Sequence, residues 1–249
     1  MEQRVTKNCG THQISNGMKK LSIIIPIYNE GATIEEVLRR VVAQKINGWE
    51  KEIIVVDDAS SDNSKLKIQN AERQFKIQNC ILLEHEKNLG KGAAIRTAIP
   101  KITGDWCIIQ DGDLEYDTKE YPRLIAELEH GPAPIIYGSR ELHPERRGYP
   151  HYVLGVRILS ALVNILFGTR LTDVYTCYKL IPVPFLKSLT IESNGFELEA
   201  ELTTKFLKQG HDIKEIPIDY RPRGFSEGKK IRPRDGFIGI WTILKNRFF

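Results

Sequence analysis

The 249-residue sequence is poor in cysteine and methionine, with four of the former and two of the latter. Cys9, Cys80, Cys107 and Cys177 are scattered and show no C-x-x-C spacing. That excludes a zinc framework built on paired cysteines, argues against a disulfide scaffold and fits a reducing compartment. No G-x-G-x-x-G follows the first apolar run, which counts against a nicotinamide enzyme, and no stretch has the spacing of a phosphate-cradling P-loop. The N-terminus lacks the basic-then-apolar pattern of a signal peptide. No uninterrupted apolar run reads as long enough to cross a bilayer. There is no repeat, no low-complexity segment and no evident linker. The reading is therefore one domain over residues 21–249, preceded by a loose polar arm over residues 1–20, in a cytoplasmic protein.

What is present is a soluble composition, 41% hydrophobic and 27% charged. The net charge of +4 is uneven. From Gly210 to Phe249 there are nine Lys/Arg against five Asp/Glu, an excess equal to that of the whole chain. Residues 210–249 read as a basic loop and closing helix, which suits an anionic partner: phosphate, an acidic membrane surface or nucleic acid. A solvated basic face is the plainer meaning.

Short apolar, β-branched runs alternate with amphipathic stretches. Leu21 to Ile27, Glu52 to Val56, Ile81 to Glu84 and Trp106 to Ile109 read as buried strands. Ile34, Val37, Leu38, Val41 and Val42 form one helical face, entered through a Thr33/Glu36 capping box. A second helix is expected from Ser64 to Phe75, a third from Gly90-Lys91-Gly92 to Ile99, and others over Asp117–His130, Gly195–Lys208 and Asp235–Arg247. Units of this kind predict an α/β fold, a mostly parallel sheet with helices on both faces. Val153 to Phe167 is apolar but interrupted by Arg157 and Asn164. It reads as too short for a membrane span, by default a core helix, alternatively one lying on a membrane surface.

The chemistry is collected at strand ends. Asp111, Asp113, Glu115 and Asp117 place four acids in seven residues after the fourth strand. Such crowding is costly without a cation, and a hard divalent ion bridging carboxylates to substrate phosphates would supply it. The alternative is a solvated acidic turn. Tyr28 to Glu30, Asp57-Asp58 and Asn88 to Lys91 also lie just past strands, where ligands of open α/β sheets bind. A nucleotide diphosphate ligand would find polar groups for its nucleoside at Asp57 and the Tyr28–Glu30 turn. For its phosphates it would find Lys91, Arg223 and Lys229. Singly each has a bland reading: Asp57 as a turn cap, Lys91 as a surface lysine, Arg140 as a loop charge.

In order, Ile25-Pro26-Ile27-Tyr28-Asn29-Glu30, Asp57-Asp58-Ala59-Ser60-Ser61-Asp62, Asn88-Leu89-Gly90-Lys91-Gly92 and Asp111-Gly112-Asp113 resemble the family 2 glycosyltransferases of the Rossmann-like GT-A fold. Downstream, Gly138-Ser139-Arg140, Asp173 to Lys179, Gly195-Phe196-Glu197 and Arg223 to Lys229 are similar to the polyprenyl-phosphate branch, which includes dolichol-phosphate mannosyltransferases. The resemblance spans residues 20–247. It implies inverting transfer of a sugar from a nucleotide diphosphate sugar, GDP-mannose or a UDP-sugar, to a polyprenyl or dolichyl phosphate, with Mg²⁺ or Mn²⁺. It implies that Pro26, Tyr28, Glu30 and Asp57 hold the nucleoside, and that Asp111, Gly112 and Asp113 form the metal and diphosphate site. Glu115 stands where many relatives have Gln, either as a further metal ligand or as a group behind one. Arg140 and Arg157 would bind the acceptor phosphate, and Arg223 and Lys229 would close over the diphosphate. A phosphate nucleophile needs no base. A hydroxyl of a sugar or protein would, with Asp173 and Glu197 as candidates, although Asp173 reads equally as a turn cap and Glu197 as a first-turn helix acid. A nucleotidyltransferase and a non-catalytic nucleotide-sugar binder are the remaining alternatives. No nucleic-acid partner is assigned. Some relatives carry transmembrane helices beyond the catalytic domain, so a chain stopping at Phe249 is expected to be soluble or peripheral; Val153–Phe167 and the helix bearing Trp241, Lys245 and Arg247 could touch a membrane surface.

Overall fold

A computed structural model describes residues 18–129, 135–143, 145, 149–224 and 233–249. Lys229, with most of the N-terminal arm, lies outside them. Seven strands form one sheet in the order β3-β2-β1-β4-β6-β5-β7. They are β1 (Lys19–Ile27), β2 (Trp49–Asp57), β3 (Cys80–Glu84), β4 (Trp106–Ile109), β5 (Ile135–Ser139), β6 (Lys179–Pro182) and β7 (Ile213–Pro217). β6 is antiparallel to both its neighbours, and the other pairings are parallel. Leu21 to Ile27 and Ile53 to Val56 are buried, as continuous β-branched runs in a sheet covered on both faces should be. Lys19 and Lys20, assigned to the arm from sequence, already pair in β1.

The helices are α1 (Ile34–Ala43), α2 (Ser64–Phe75), α3 (Lys91–Ala98), α4 (Tyr121–Ala126), α5 (Pro150–Phe167), α6 (Val183–Ser188), α7 (Leu198–Lys208) and α8 (Pro233–Phe248). α1 buries Ile34, Val37, Leu38 and Val41, the predicted face. The capping box does not form. Glu36 instead pairs with Arg39 and Arg40, and the Thr33 hydroxyl is drawn to the Gly112 carbonyl at 2.8 Å. The stretch read as one helix from Asp117 to His130 is a short α4 flanked by 3₁₀ turns.

α5 corrects the core-helix expectation. It begins three residues earlier, at Pro150, and its 18 residues, with mean hydropathy 1.4, are long and apolar enough to cross a membrane. Only Leu159, Ser160 and Val163 are buried, in a small second core shared with α7 and α8. Ile165 is 81% exposed.

At the opposite edge from the strand termini that matter below, Glu52 accepts hydrogen bonds from Ser22 and from the Thr103 and Gly104 amides. Burial opposes its charge, but these bonds and Lys20 hold its pKa at about 2. Because the folded-state value is depressed, its contribution is present above pH 4.5 and lost as pH falls toward 2. Glu52→Gln is expected to cost about 2–3 kcal/mol at pH 7 and much less at pH 3, measured by urea unfolding at both pH values. Equal losses would show that the carboxylate charge is not what matters.

Candidate functional site at the carboxyl edge of the sheet

β4 pairs with β1 only as far as Ile24 and Ile109, so β1 runs on past the end of β4. A cavity of about 1030 Å³ opens there. Its wall includes Pro26, Tyr28, Glu30, Asp58, Lys91 and Arg140, all at or just beyond the ends of parallel strands. Its floor is the acidic segment.

That segment is placed from below. Gln110 is buried, and its Oε1 accepts the hydroxyls of Tyr121 and Tyr178 at 2.7 and 2.6 Å. Gly112 lies against β1 so closely that a Cβ there would meet the Ile27 side chain at 2.7 Å. The chain thereby turns Asp111 and Asp113 into the cavity. Each carboxylate meets a cation from elsewhere: Asp111 Oδ1 is 2.7 Å from Lys91 Nζ, and Asp113 Oδ2 is 2.6 Å from Arg223. Burial opposes the charge of Asp111, but Lys91 holds its pKa below the usual carboxylate range. For Asp113, burial is reinforced by Asp111 and Glu115, and its pKa is pushed up to about 7.

Glu115 faces the loop after β7. Its Oε2 accepts the Tyr220 hydroxyl at 2.8 Å and its Oε1 the Arg223 amide at 2.5 Å. It therefore fixes the segment that delivers Arg223, whose guanidinium also reaches Glu30 Oε2 at 3.1 Å. Among the described residues, no three His, Cys, Asp or Glu side chains gather into a metal-binding group.

Just past β2, the two aspartates divide their roles. Asp57 accepts the Ser60 amide at 2.9 Å, a turn cap, and Asp58 rather than Asp57 lines the cavity. Asp58 takes the Leu89 and Gly90 amides at 2.8 and 2.7 Å and contacts His85 Nδ1 at 2.7 Å. It thus fixes the turn that launches Lys91. Gly90 has φ 95°, and a Cβ there would lie 2.3 Å from the Asn194 carbonyl, so glycine is required twice over.

At the other end, four sequence candidates turn out to be engaged. Arg140 lines the cavity, but Asp173 grips it at 2.7 and 2.8 Å, and it lies 5.1 Å from the Tyr220 ring centroid. Asp173 is fully buried in that pair. Glu197 folds back to accept the Asn194 and Gly195 amides. Arg157 pairs with Glu141 at 2.7 Å and is not part of the cavity wall.

Sequence reasoning passed over Cys177, Lys179 and Glu199 as functional groups. The Cys177 thiol lies 3.5 Å from Lys91 Nζ. Glu199, in the first turn of α7, is 2% exposed and sits between Lys91 and the fully buried Lys179. The available signal was a lysine inside the apolar run Tyr178–Ile181, since a buried charge requires a partner.

With this geometry in place, residues 22–189 match the sequence model of Glycosyl transferase family 2. The low-salt glycan biosynthesis hexosyltransferase Agl6 of Haloferax volcanii is 26% identical over 229 residues, covering 91% of this chain and 53% of the relative. The chain thus spans about half the length of that curated relative. Glucosyl-3-phosphoglycerate synthase from Mycobacterium tuberculosis, crystallised with phosphoglyceric acid, superposes with a TM-score of 0.71 at 21% identity, covering 92% of this chain and 80% of that one. Its complex with Mn²⁺ and UDP-glucose gives 0.70 at 21% identity over 92% and 79%. The likeness establishes the fold, the mostly parallel GT-A sheet expected from sequence.

The raised Asp113 pKa has a measurable sign. The folded protein keeps that proton to higher pH than the unfolded chain, so the group subtracts stability as pH climbs from about 4 to about 7. Asp113→Asn is expected to gain on the wild type between pH 5 and pH 8, by about 2 kcal/mol, in thermal melts with EDTA present. A constant difference between the two proteins would mean that Asp113 titrates normally.

Proposed function

The chain belongs to glycosyl transferase family 2, and on that premise we propose that it transfers a sugar, with inversion, from a nucleotide diphosphate sugar to a polyprenyl phosphate. The observation that carries this reading is the character of one cavity. At one pole are Asp111, Asp113, Lys91 and Arg223. At the other, its wall is built from α5 residues Val153, Val156 and Leu159. A donor diphosphate suits the first pole and an amphiphilic acceptor the second.

Mg²⁺ or Mn²⁺ fits the donor set. Asp111 and Asp113 offer hard oxygen ligands, too few for an all-protein cage, and burial together with the neighbouring Asp111 and Glu115 makes Asp113 resist ionisation. Asp111 and Asp113 would hold the ion, which supplies charge stabilisation for a departing diphosphate. The chain's own residues do the rest. Lys91 and Arg223 face the same developing charge, and a cation already fixed in place acts without reorganising. Asp58 aligns the turn carrying Lys91, and Glu115 aligns the segment carrying Arg223. Arg140, neutralised by Asp173 and packed against Tyr116 and Tyr220, is a rigid donor at the acceptor side.

The engagement of Asp173 and Glu197 favours an acceptor that needs no base. A lipid phosphate oxygen is anionic at neutral pH. A phosphorylated hydroxyl acceptor, the class suggested by the phosphoglyceric acid bound to the mycobacterial synthase, would need one.

The face formed by α5 and α8 supports a peripheral position on the cytoplasmic side of a membrane. Leu154, Ile158 and Ile165 on α5, with Phe237, Trp241 and Phe248 on α8, are all more than half exposed. Lys245 and Arg247 lie in the last turn of α8. An apolar face edged with cations suits an anionic interface.

Two measurements test the proposal. GDP-, UDP- and dTDP-sugars are screened by thermal shift with Mn²⁺ and with EDTA. One nucleotide is expected to raise the midpoint only with metal, and Asp113→Ala to abolish the rise. No shift with any donor would sink the reading. Incubation of that donor with polyprenyl phosphate or with 3-phosphoglycerate then decides the acceptor. Separately, the protein is expected to co-sediment with acidic liposomes, and Trp241→Ser with Phe237→Ser to weaken this about tenfold. Sedimentation indifferent to both the lipid charge and the substitutions would remove the membrane contact.

A further inference from the structure

Two of the cavity's cations, Lys91 and Arg223, each stand between two carboxylates, and the two carboxylates differ in kind. Lys91 Nζ lies 2.7 Å from Asp111 Oδ1 and 3.1 Å from Glu199 Oε1. The Arg223 guanidinium lies 2.6 Å from Asp113 Oδ2 and 3.1 Å from Glu30 Oε2. The inner partner in each case belongs to the Asp-Gly-Asp segment. The outer partner belongs to a different element, the start of α7 for Glu199 and the turn after β1 for Glu30.

Glu199 is the more telling of the two. It is 2% exposed, and its Oε1 makes no hydrogen bond despite its proximity to Lys91. Its other oxygen is held by Lys179. Lys179 is itself immobilised: it is fully buried, it donates to the Val174 and Thr176 carbonyls, and its ammonium lies 4.8 Å from the Tyr137 ring centroid. A buried carboxylate held by Lys179 on one side and paired with Lys91 at 3.1 Å on the other is placed to keep that ammonium on the cavity wall.

We infer that Glu199, braced by Lys179, is a positioning residue that retains Lys91 when a divalent cation takes Asp111. Without ligand, Lys91 neutralises Asp111. An incoming metal ion must displace it, and a displaced ammonium with no other partner would compete for the same oxygen. Glu199, already 3.1 Å from Lys91 Nζ, gives it a second partner, still on the cavity wall. From there it would face phosphates held at the same site. Glu30 stands in the same relation to Arg223. The metal-retention role depends on Lys91 and Glu199 alone, whereas the phosphate-facing role rests on the nucleotide-sugar reading.

The test uses Mn²⁺ alone as probe, with its free paramagnetic resonance signal as readout, on the wild type, Glu199→Gln, Lys91→Met and the double variant. Glu199→Gln is expected to weaken Mn²⁺ binding about tenfold, because Lys91 then competes undivided for Asp111. In the Lys91→Met background the same substitution is expected to change it less than about twofold. Equal weakening in both backgrounds would reduce Glu199 to a remote charge. No weakening in either, or no Mn²⁺ binding by the wild type, would also overturn the inference. If Glu199→Gln does not fold, Lys179→Met with Glu199→Gln removes both buried charges, and the same Lys91 dependence is required of that pair. Adding UDP or GDP separates the two claims: Mn²⁺ binding that depends on Lys91 but is indifferent to either nucleotide would count against the donor and leave the metal-retention role standing.

Discussion

Everything at the carboxyl edge of the sheet answers to the crowding of carboxylates on the acidic segment. Asp111, Asp113 and Glu115 alternate within five residues and line a shared cavity. Without compensation the native state would lose stability wherever these groups ionise. The fold answers by recruiting distant cations in series. Lys179, Glu199, Lys91 and Asp111 form one run of alternating charge, and Asp113, Arg223 and Glu30 form another. Both runs end on the Asp-Gly-Asp segment. The compensation is incomplete: burial, with Asp111 and Glu115 beside it, still pushes the Asp113 carboxyl up. A divalent cation would make it good.

The single reversed strand makes the first run possible. In a wholly parallel sheet the residues at the carboxyl edge all come from strand ends. β6 enters the sheet from that edge, because it runs antiparallel to β4 and β5. Its first residue, Lys179, and the preceding Cys177 therefore sit beside the acidic segment rather than at the far edge. Reversal adds a second class of residue to a site that strand ends alone would furnish.

Much of this was legible in the sequence, and for definite reasons. β-branched runs without polar breaks can only be strands covered on both faces, and a mostly parallel sheet follows from their alternation with helices. Once the sheet is parallel, polar segments after successive strands must share an edge, and Tyr28, Asp58, Lys91 and Asp111 do line one cavity. Which of two neighbours does what was not legible. Asp57 and Asp58 are adjacent and chemically alike, and only the turn geometry makes one a cap and the other the anchor of the next loop. Thr33 and Glu36 fit a capping box, but tertiary partners override the local motif. Glu197, Glu199 and Glu201 look like three first-turn helix acids, yet they do three different jobs. α5 read as core because hydropathy alone does not say which side of an apolar helix finds a partner.

Pairing both Lys91 and Arg223 with carboxylates raises the question of how such a site binds a ligand. Breaking a buried ion pair outright strands both partners and costs several kcal/mol. Exchanging one partner for another of like charge strands neither. A site in which each cation already touches two carboxylates can therefore admit a metal ion at the inner one through a short displacement, keeping the count of satisfied charges nearly constant. The same logic separates the two ends of the cavity. At the Asp-Gly-Asp end the pairs are shared three ways and are suited to exchange. At Arg140 the guanidinium is gripped by both oxygens of one fully buried aspartate, and no second anion among its described contacts waits to take the place of either. That end is built to stay still, and under the proposed transfer it would be a fixed surface for an acceptor, while a rearrangement on metal binding would fall to Lys91 and Arg223.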